Sequence, residues 1–415
     1  MALTMKSPSL IVFLLVLLSP LILSGASFES TSKYLDRDGS LLAYIDFEGD
    51  GKEIADDLDA IYKALQKVAP GKAILPIDYD LLFKNLGFAT VESWGLSSKE
   101  LRPGLLRNRA ALMMNGAPEG LLKFYFLAEA QPMPFKAAEM APADANGAFS
   151  GTLNWLALSE TVEALFVQTL GPVGQMLMQS QLQKPILGEA VTLQKLIATL
   201  STRWDGFYRF SLADPNTPKV DFYLQVSEAG YLVKELKALD LPVKFSEEGQ
   251  QIVADFSPLL KASQFSLFAK STESGDLVLY TDPTWIAGEG QPSLADTKNF
   301  KDFSAQLPPK ALLYEYSNGF DLMTFIGPAL KQDLETAPFI PVIEVAIERL
   351  VGDFYKPYAS ASTIADGNIL FEQYGSFSPK QLLGLVPLGF GAAIAIPAIE
   401  KANEIQTDIN IDISK

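Results

Sequence analysis

The chain has 415 residues, no cysteine, no histidine and a formal net charge of −16 at pH 7. These counts exclude disulfides, zinc sites built from Cys or His, and catalysis by a Ser-His-Asp triad or a Cys-His pair. They also disfavour nucleic acid as a partner, because binding phosphate requires basic surface. The fold must therefore rest on an ordinary hydrophobic core, and a chain of this length predicts two or three domains.

The N-terminus has the layout of a secretory signal peptide. One positive charge, Lys6, precedes an almost wholly apolar run over Leu10–Leu23. Small residues follow at Ser24 and Ala26, which are positions −3 and −1 of a cleavage site after Ala26. Residues 1–26 are therefore predicted to be a signal peptide, with a retained N-terminal anchor as the alternative.

The first predicted module covers residues 27–135. Leu41–Phe47 alternates loosely and predicts a strand, and Lys52–Val68 predicts a helix. The spacing of its apolar residues predicts one buried face, formed by Ile54, Leu58, Ile61, Leu65 and Val68. A β-hairpin with arms Arg109–Met114 and Leu121–Ala128 is expected to end the module.

The same pattern restarts over residues 141–290 and again over residues 307–378. Each time a strand runs into helix and a β-hairpin follows. Hairpin turns are expected at Asp214-Pro215-Asn216, Glu248-Gly249 and Ser274-Gly275 in the second module, and at Asp366-Gly367 in the third. The helices of the third module are expected over Phe320–Lys331 and Phe339–Leu350. These patterns predict an α+β fold of tandem modules, each an antiparallel sheet with helices packed on one face. A chance recurrence of ordinary α+β segments is the alternative.

The last apolar run, Gln381–Ile399, holds no charged residue and is 19 residues long. That is about enough to cross a bilayer as a helix, and membrane helices tolerate its prolines and glycines. Residues 381–399 are therefore predicted to be a transmembrane helix followed by a tail over 400–415. A hydrophobic tail or core helix packed on the third module is the alternative. With the signal peptide, this run predicts a protein of the periplasm or cell envelope, anchored in the inner membrane through 381–399.

Acidic residues after the first predicted strand match part of a calcium loop. Such a loop needs oxygen ligands at alternate positions, and Asp46, Glu48, Asp50 and Asp57 are the candidate ligands. A strand-to-helix turn explains the same residues, because acids are favoured at a helix N-terminus. No cofactor and no catalytic residue is predicted.

Clusters of aromatic residues lie in segments expected to be strands. The members are Phe124, Tyr125 and Phe126, then Phe207, Tyr208 and Phe210, then Phe222 and Tyr223. Consecutive strand residues point to opposite faces of a sheet, so one set belongs to the core. The other set is expected at an interface or at a surface that binds an apolar or sugar ligand.

Together these features predict an exported cell-envelope protein with a non-enzymatic structural, scaffolding or binding role. The first alternative is a carrier or binding protein for an apolar or sugar ligand. The second is a hydrolase that works through a pair of carboxylates, which the 49 Asp and Glu residues make chemically available.

Overall fold

In a computed structural model, the described residues are 25–47, 50–68, 77–125, 132–187, 191–211, 219–239, 241–249, 251–259, 266–285, 290–319, 345 and 356–384. Most of the predicted signal peptide lies outside this set. The predicted third-module helices lie outside it except at residue 345, as do the apolar run beyond residue 384 and the tail.

The fold is α+β, and its main feature is one antiparallel sheet of 13 strands. The strands in chain order are β1 Leu41–Asp46, β2 Val91–Arg102, β3 Leu105–Met114, β4 Gly147–Thr152, β5 Pro185–Leu187, β6 Val191–Thr192, β7 Arg203–Ser211, β8 Lys219–Val226, β9 Lys244–Glu248, β10 Gln251–Asp255, β11 Phe268–Ser271, β12 Leu277–Tyr280, β13 Leu313–Ser317, β14 Tyr358–Ala365 and β15 Asn368–Gly375. The large sheet has the order β1-β2-β3-β15-β14-β13-β4-β7-β8-β12-β11-β10-β9, and β5 and β6 form a separate two-stranded ribbon.

Nine α-helices fall within the described part of the chain. They are α1 Gly25–Ser32, α2 Asp50–Val68, α3 Tyr79–Leu86, α4 Lys136–Met140, α5 Trp155–Leu170, α6 Pro172–Leu182, α7 Leu193–Leu200, α8 Tyr231–Lys237 and α9 Lys298–Ser304. The predicted cleavage site after Ala26 falls within α1. Two helices, α4 and α9, lie in the stretches that the sequence assigned to linkers between modules.

The strand order groups the three predicted modules into neighbouring blocks of one shared sheet. The first module supplies β1-β2-β3, the third supplies β15-β14-β13, and the second supplies β4-β7-β8 and the two extra hairpins. Within each of the blocks β1-β2-β3, β13-β14-β15 and β4-β7-β8, the strands pair in the order in which they occur in the chain, although β5 and β6 come between β4 and β7. The modules thus repeat one strand connectivity, but none closes a sheet of its own.

Helices cover both faces of the shared sheet: α4, which lies between two predicted modules, covers one face, and α8 of the second module covers the other. Leu277 and Val278 are consecutive in β12 and therefore point to opposite faces. Val278 belongs to a core cluster with Ala137 of α4, whereas Leu277 belongs to a cluster with Leu232 of α8. A long sheet has two apolar faces, and each must be covered to exclude water.

The aromatic core lies on the α4 face. The rings of Phe207 and Tyr223 stack with centroids 4.7 Å apart, and Trp285 meets Phe207 edge-on at 5.2 Å. Burial raises the pKa of Tyr223 to about 12. Phe207 and Tyr223 therefore belong to the core, where one set of the clustered aromatic side chains was expected.

Helix α2 forms where it was predicted, but its apolar face is not buried. Ile54, Ile61 and Leu65 are 38%, 47% and 55% exposed, whereas Ala55 is buried. The helix packs against α3, where the rings of Tyr62 and Tyr79 meet at 6.0 Å. The predicted burial is wrong for these three residues, because spacing marks an apolar face without showing what covers it.

The predicted hairpin of the first module is also wrong. Arg109 pairs with Ser97 of β2, and the hairpin turns at Pro103-Gly104, where Gly104 has φ +78°. Residues 121–125 of the predicted arm Leu121–Ala128 lie in the 3-10 helix Gly120–Tyr125, and residues 126–128 lie outside the described residues. Pro followed by a Gly with positive φ favours a tight turn. This turn places the hairpin earlier in the chain than the apolar run after residue 120 predicted.

The other hairpins are confirmed by the pairing of β7 with β8, β9 with β10, β11 with β12, and β14 with β15. In the last of these, Asp366 and Gly367 both have positive φ, at 54° and 79°. Two central residues with positive φ define a type I′ turn, which matches the twist of antiparallel strands.

Candidate functional site

A cleft in the described part of the chain has a volume of about 450 Å³. We call it the first-module cleft. Its lining residues are Phe47, Gly51, Lys52, Asp80, Phe83, Lys84, Phe88, Ala89, Thr90, Val91, Glu92, Asn115 and Glu119. It lies where β1, the start of β2 and the end of β3 meet α2 and α3.

Backbone bonds join the end of β1 to one wall of the cleft. The N–H of Phe47 donates to the carbonyl of Glu92 at 2.8 Å, which holds the end of β1 against the start of β2. The N–H of Asp50 donates to the carbonyl of Phe47 at 3.1 Å, so the chain turns directly into α2. The first turn of α2 thereby brings Gly51 and Lys52 to the cleft.

Helix α3 supplies the second wall, and both of its ends are capped. The Asp78 side chain accepts from the N–H of Leu81 at 3.0 Å, and Gly87 ends the helix at φ +91°. A Cβ at Gly87 would lie 2.7 Å from the carbonyl oxygen of Glu119. Glycine at this position therefore allows the turn that carries the chain into the 3-10 helix Phe88–Thr90.

The lining combines aromatic rings with polar groups of both charges. The rings of Phe83 and Phe88 lie with centroids 5.5 Å apart, and Phe88 is 44% exposed. Carboxylates, an amide and two ammonium groups surround them, from Asp80, Glu92, Glu119, Asn115, Lys52 and Lys84. Such a lining can hydrogen-bond hydroxyl groups and pack an apolar ligand face on a ring.

Of the calcium candidates, Asp46 and Asp50 are next in sequence to the lining residues Phe47 and Gly51, and the described candidates do not converge. The Asp46 carboxylate accepts from Ser27 Oγ at 2.5 Å and from the Tyr44 hydroxyl at 3.2 Å. Asp50 and Asp57 are exposed on α2, and Glu48 lies outside the described residues. Among the residues that are described, no group of three or more acidic side chains could hold a metal ion.

The described members of the first aromatic cluster, Phe124 and Tyr125, are not in a strand. Phe124 and Tyr125 lie in the 3-10 helix, and Phe126 lies outside the described residues. The Phe124 ring meets Trp155 of α5 edge-on at 5.1 Å, and Trp155 stacks on Trp204 of β7 at 5.5 Å. These rings join the first module to the second.

A second polar cluster surrounds Arg209 on β7. Its guanidinium contacts Asp144 at 2.6 Å and the buried Asp221 at 2.8 Å, and it stacks over the Trp285 ring at 4.6 Å. Burial acts to raise the pKa of Asp144, but hydrogen bonds from Trp285 and Arg209 outweigh it and lower that pKa. These ions are paired with one another, so the cluster joins β7, β8 and the neighbouring loop.

The sequence did not single out Phe83, Phe88, Glu92 or Glu119. Phe88 falls in a segment that resembles a strand, and its exposure depends on the turn at Gly87. The acids come from separate elements that only the fold brings together. The one local signal was the acidic stretch after β1, which does border the cleft.

No helix in the described ranges is both long enough and apolar enough to cross a membrane. The predicted transmembrane run lies outside these ranges except for residues 381–384, which belong to the 3-10 helix Pro379–Gly384. Comparisons with protein-family models, with curated proteins and with solved structures found no match to this chain.

Proposed function

We propose that this chain is an exported cell-envelope protein with a non-enzymatic binding role, and that the first-module cleft binds a sugar. The observation that supports it is the lining of that cleft. An exposed ring, Phe88, stands beside carboxylates and an amide in about 450 Å³. That volume lies within the range of about 300–1,000 Å³ in which proteins bind small ligands.

A sugar suits this lining because it presents hydroxyl groups around its edge and C–H groups on its faces. The carboxylates of Glu92 and Glu119 accept hydrogen bonds from hydroxyls, and the Asn115 amide both donates and accepts. The Phe88 ring offers an apolar surface to the C–H face. A fully apolar ligand would leave these polar groups without partners, at a cost of about 1–3 kcal/mol for each group removed from water.

A scaffolding role is the second candidate, and the continuous sheet supports it. Thirteen strands at about 4.8 Å spacing extend roughly 58 Å along the sheet. The edge strand β9 carries the charged side chains of Lys244 and Glu247, and such charges discourage pairing with other chains. A long sheet with a protected edge can hold its bound partners at fixed separations.

Titration of the purified protein with a panel of mono- and disaccharides, followed by calorimetry, tests the binding role. At least one sugar should bind saturably. Phe88→Ala should weaken its binding about three- to tenfold, because fully burying a Phe side chain contributes about 1.5–3 kcal/mol and 44% of this side chain is exposed and available to a ligand. Phe166→Ala is the matched control, since Phe166 of α5 is 41% exposed and does not line the cleft.

Two results would refute sugar binding in this cleft. One is the absence of saturable binding to any sugar in the panel. The other is an equal loss of affinity in Phe88→Ala and Phe166→Ala. Export and anchoring are tested separately: the mature N-terminus should be Ser27 by mass spectrometry, and carbonate should leave the full-length protein in the membrane fraction.

A further inference from the structure

A second concave site lies within the second module. It is a pocket of about 220 Å³, which we call the apolar pocket, between the end of the large sheet, the β5–β6 ribbon and helices α7 and α8. Every residue that lines it is apolar, and the set includes Ile186, Leu196, Leu232, Ala269 and Leu277. The chain as a whole is acidic, with a net charge of −16, whereas this pocket offers a ligand only apolar side chains.

The floor of the apolar pocket is a depression in the sheet. Ala269 of β11 is buried and lies directly opposite Ala254 of β10, which is also buried. Two small side chains facing each other across a strand pair leave space that larger residues would fill. Leu277 of β12 borders this depression, so the floor is apolar throughout.

Helices α7 and α8 form the roof of the pocket, and a side-chain hydrogen bond joins them. The hydroxyls of Thr199 on α7 and Tyr231 on α8 are 2.6 Å apart, and the Lys195 ammonium lies 4.8 Å from the Tyr231 ring centroid. These contacts lie beside Leu196 and Leu232, which face the pocket. Because the roof is tied, the pocket is preformed and little ordering is needed for a ligand to bind.

We propose that the apolar pocket binds a small neutral hydrocarbon about the size of an alkylbenzene. An engineered enclosed cavity of about 150 Å³ lined by Leu, Ile and Phe stays dry and binds benzene or xenon. The apolar pocket is open to solvent on one side, but it is larger and has the same kind of lining. A charged ligand is excluded, because no lining side chain can replace the water that it would lose. The ligand enters past Ile186, which is 45% exposed.

Ethylbenzene is the probe, and benzylamine is its charged counterpart of nearly the same size. In spectra of the full-length protein labelled at Leu and Ile methyl groups, ethylbenzene should cause saturable shifts, with Leu232 and Leu277 among the affected residues. Benzylamine at the same concentration should cause none. Saturable benzylamine binding at these methyls, or no saturable ethylbenzene binding, would overturn the proposal.

Two variants locate the site independently. Ala269→Leu should fill the floor and weaken ethylbenzene binding at least tenfold. Ile186→Glu should weaken it similarly by placing a carboxylate at the mouth, and it alters an exposed residue, so the fold is retained if the buried variant fails. Leu101→Glu, at an exposed leucine of β2, is the control and should bind as the wild type does. Wild-type affinity in Ile186→Glu would refute this location.

Discussion

Gly174 is the residue at which the structure makes its sharpest energetic prediction. It is buried in α6 at the place where this helix crosses α5. A Cβ added there would lie 2.2 Å from the carbonyl oxygen of Phe166, a backbone atom of α5. Because real Cβ contacts stay beyond 3.0 Å, Gly174→Ala requires the two helices to separate by about 0.8 Å.

Two opposing effects decide the outcome of this substitution. Alanine favours helix over glycine by about 1 kcal/mol. Overpacking costs about 1–3 kcal/mol, and the upper part of that range applies because a backbone carbonyl cannot rotate away as a side chain does. We therefore expect Gly174→Ala to lower the free energy of unfolding by about 1–2 kcal/mol.

Urea unfolding followed by tryptophan fluorescence measures this change, since Trp155 lies at the start of α5 and stacks on Trp204. Gly51→Ala is the matched control, because Gly51 is also helical and its added Cβ would lie 3.7 Å from the nearest atom. That variant should be neutral or more stable by up to about 1 kcal/mol. A Gly174→Ala midpoint equal to or above the wild-type midpoint would refute the close packing of α5 on α6.

Three further predictions concern charge and turns. Asp36→Asn should destabilise the protein by about 3 kcal/mol, because Arg107 donates to the buried Asp36 carboxylate at 2.9 Å; an unchanged urea midpoint would contradict this pairing. Gly367→Ala should cost about 1–2 kcal/mol, because Gly367 has φ +79° and alanine disfavours the left-handed region; thermal unfolding of the variant would show it. Burial acts to raise the pKa of Asp276, but hydrogen bonds from the Glu228 N–H and nearby side chains outweigh it and lower that pKa. The carboxylate therefore stabilises the fold above its unfolded pKa of about 4, and this stability is lost as the pH falls through the lower folded value. Asp276→Asn should make the stability less dependent on pH below about 4, and an identical pH profile would count against the depressed pKa.

Features that depend on local interactions were predictable from the sequence, whereas features that depend on contacts between distant residues were not. The hairpin at Asp366-Gly367 was predictable because two adjacent residues with positive φ determine a type I′ turn locally. The hairpin at Pro103-Gly104 also has a local turn signal, the Pro-Gly pair. The prediction missed it because it assigned the second arm of the hairpin to the apolar run that begins at residue 121. The burial of α2 was not predictable, because it depends on what packs against the helix.

The first-module cleft shows the same division. Its acidic border near Asp50 is visible in the sequence as a cluster of carboxylates. Its aromatic and acidic lining from Phe88, Glu92 and Glu119 is not, because these residues reach one site only after the 3-10 helix and the start of β2 fold against α3. Side chains that converge from separate elements leave no spacing pattern in the chain.

Composition alone limits the chemistry that the chain can use, and local turn residues predict the hairpins at Ser274-Gly275 and Asp366-Gly367. A chain without Cys or His cannot form disulfides or histidine-based sites, and turn residues act through their own backbone conformation. Only the tertiary structure decided that the modules share one sheet, because β15 pairs with β3 through contacts such as Leu370 with Ala111. Those residues are far apart in sequence, and antiparallel pairing between distant strands depends on the complementarity of whole faces rather than on any local pattern.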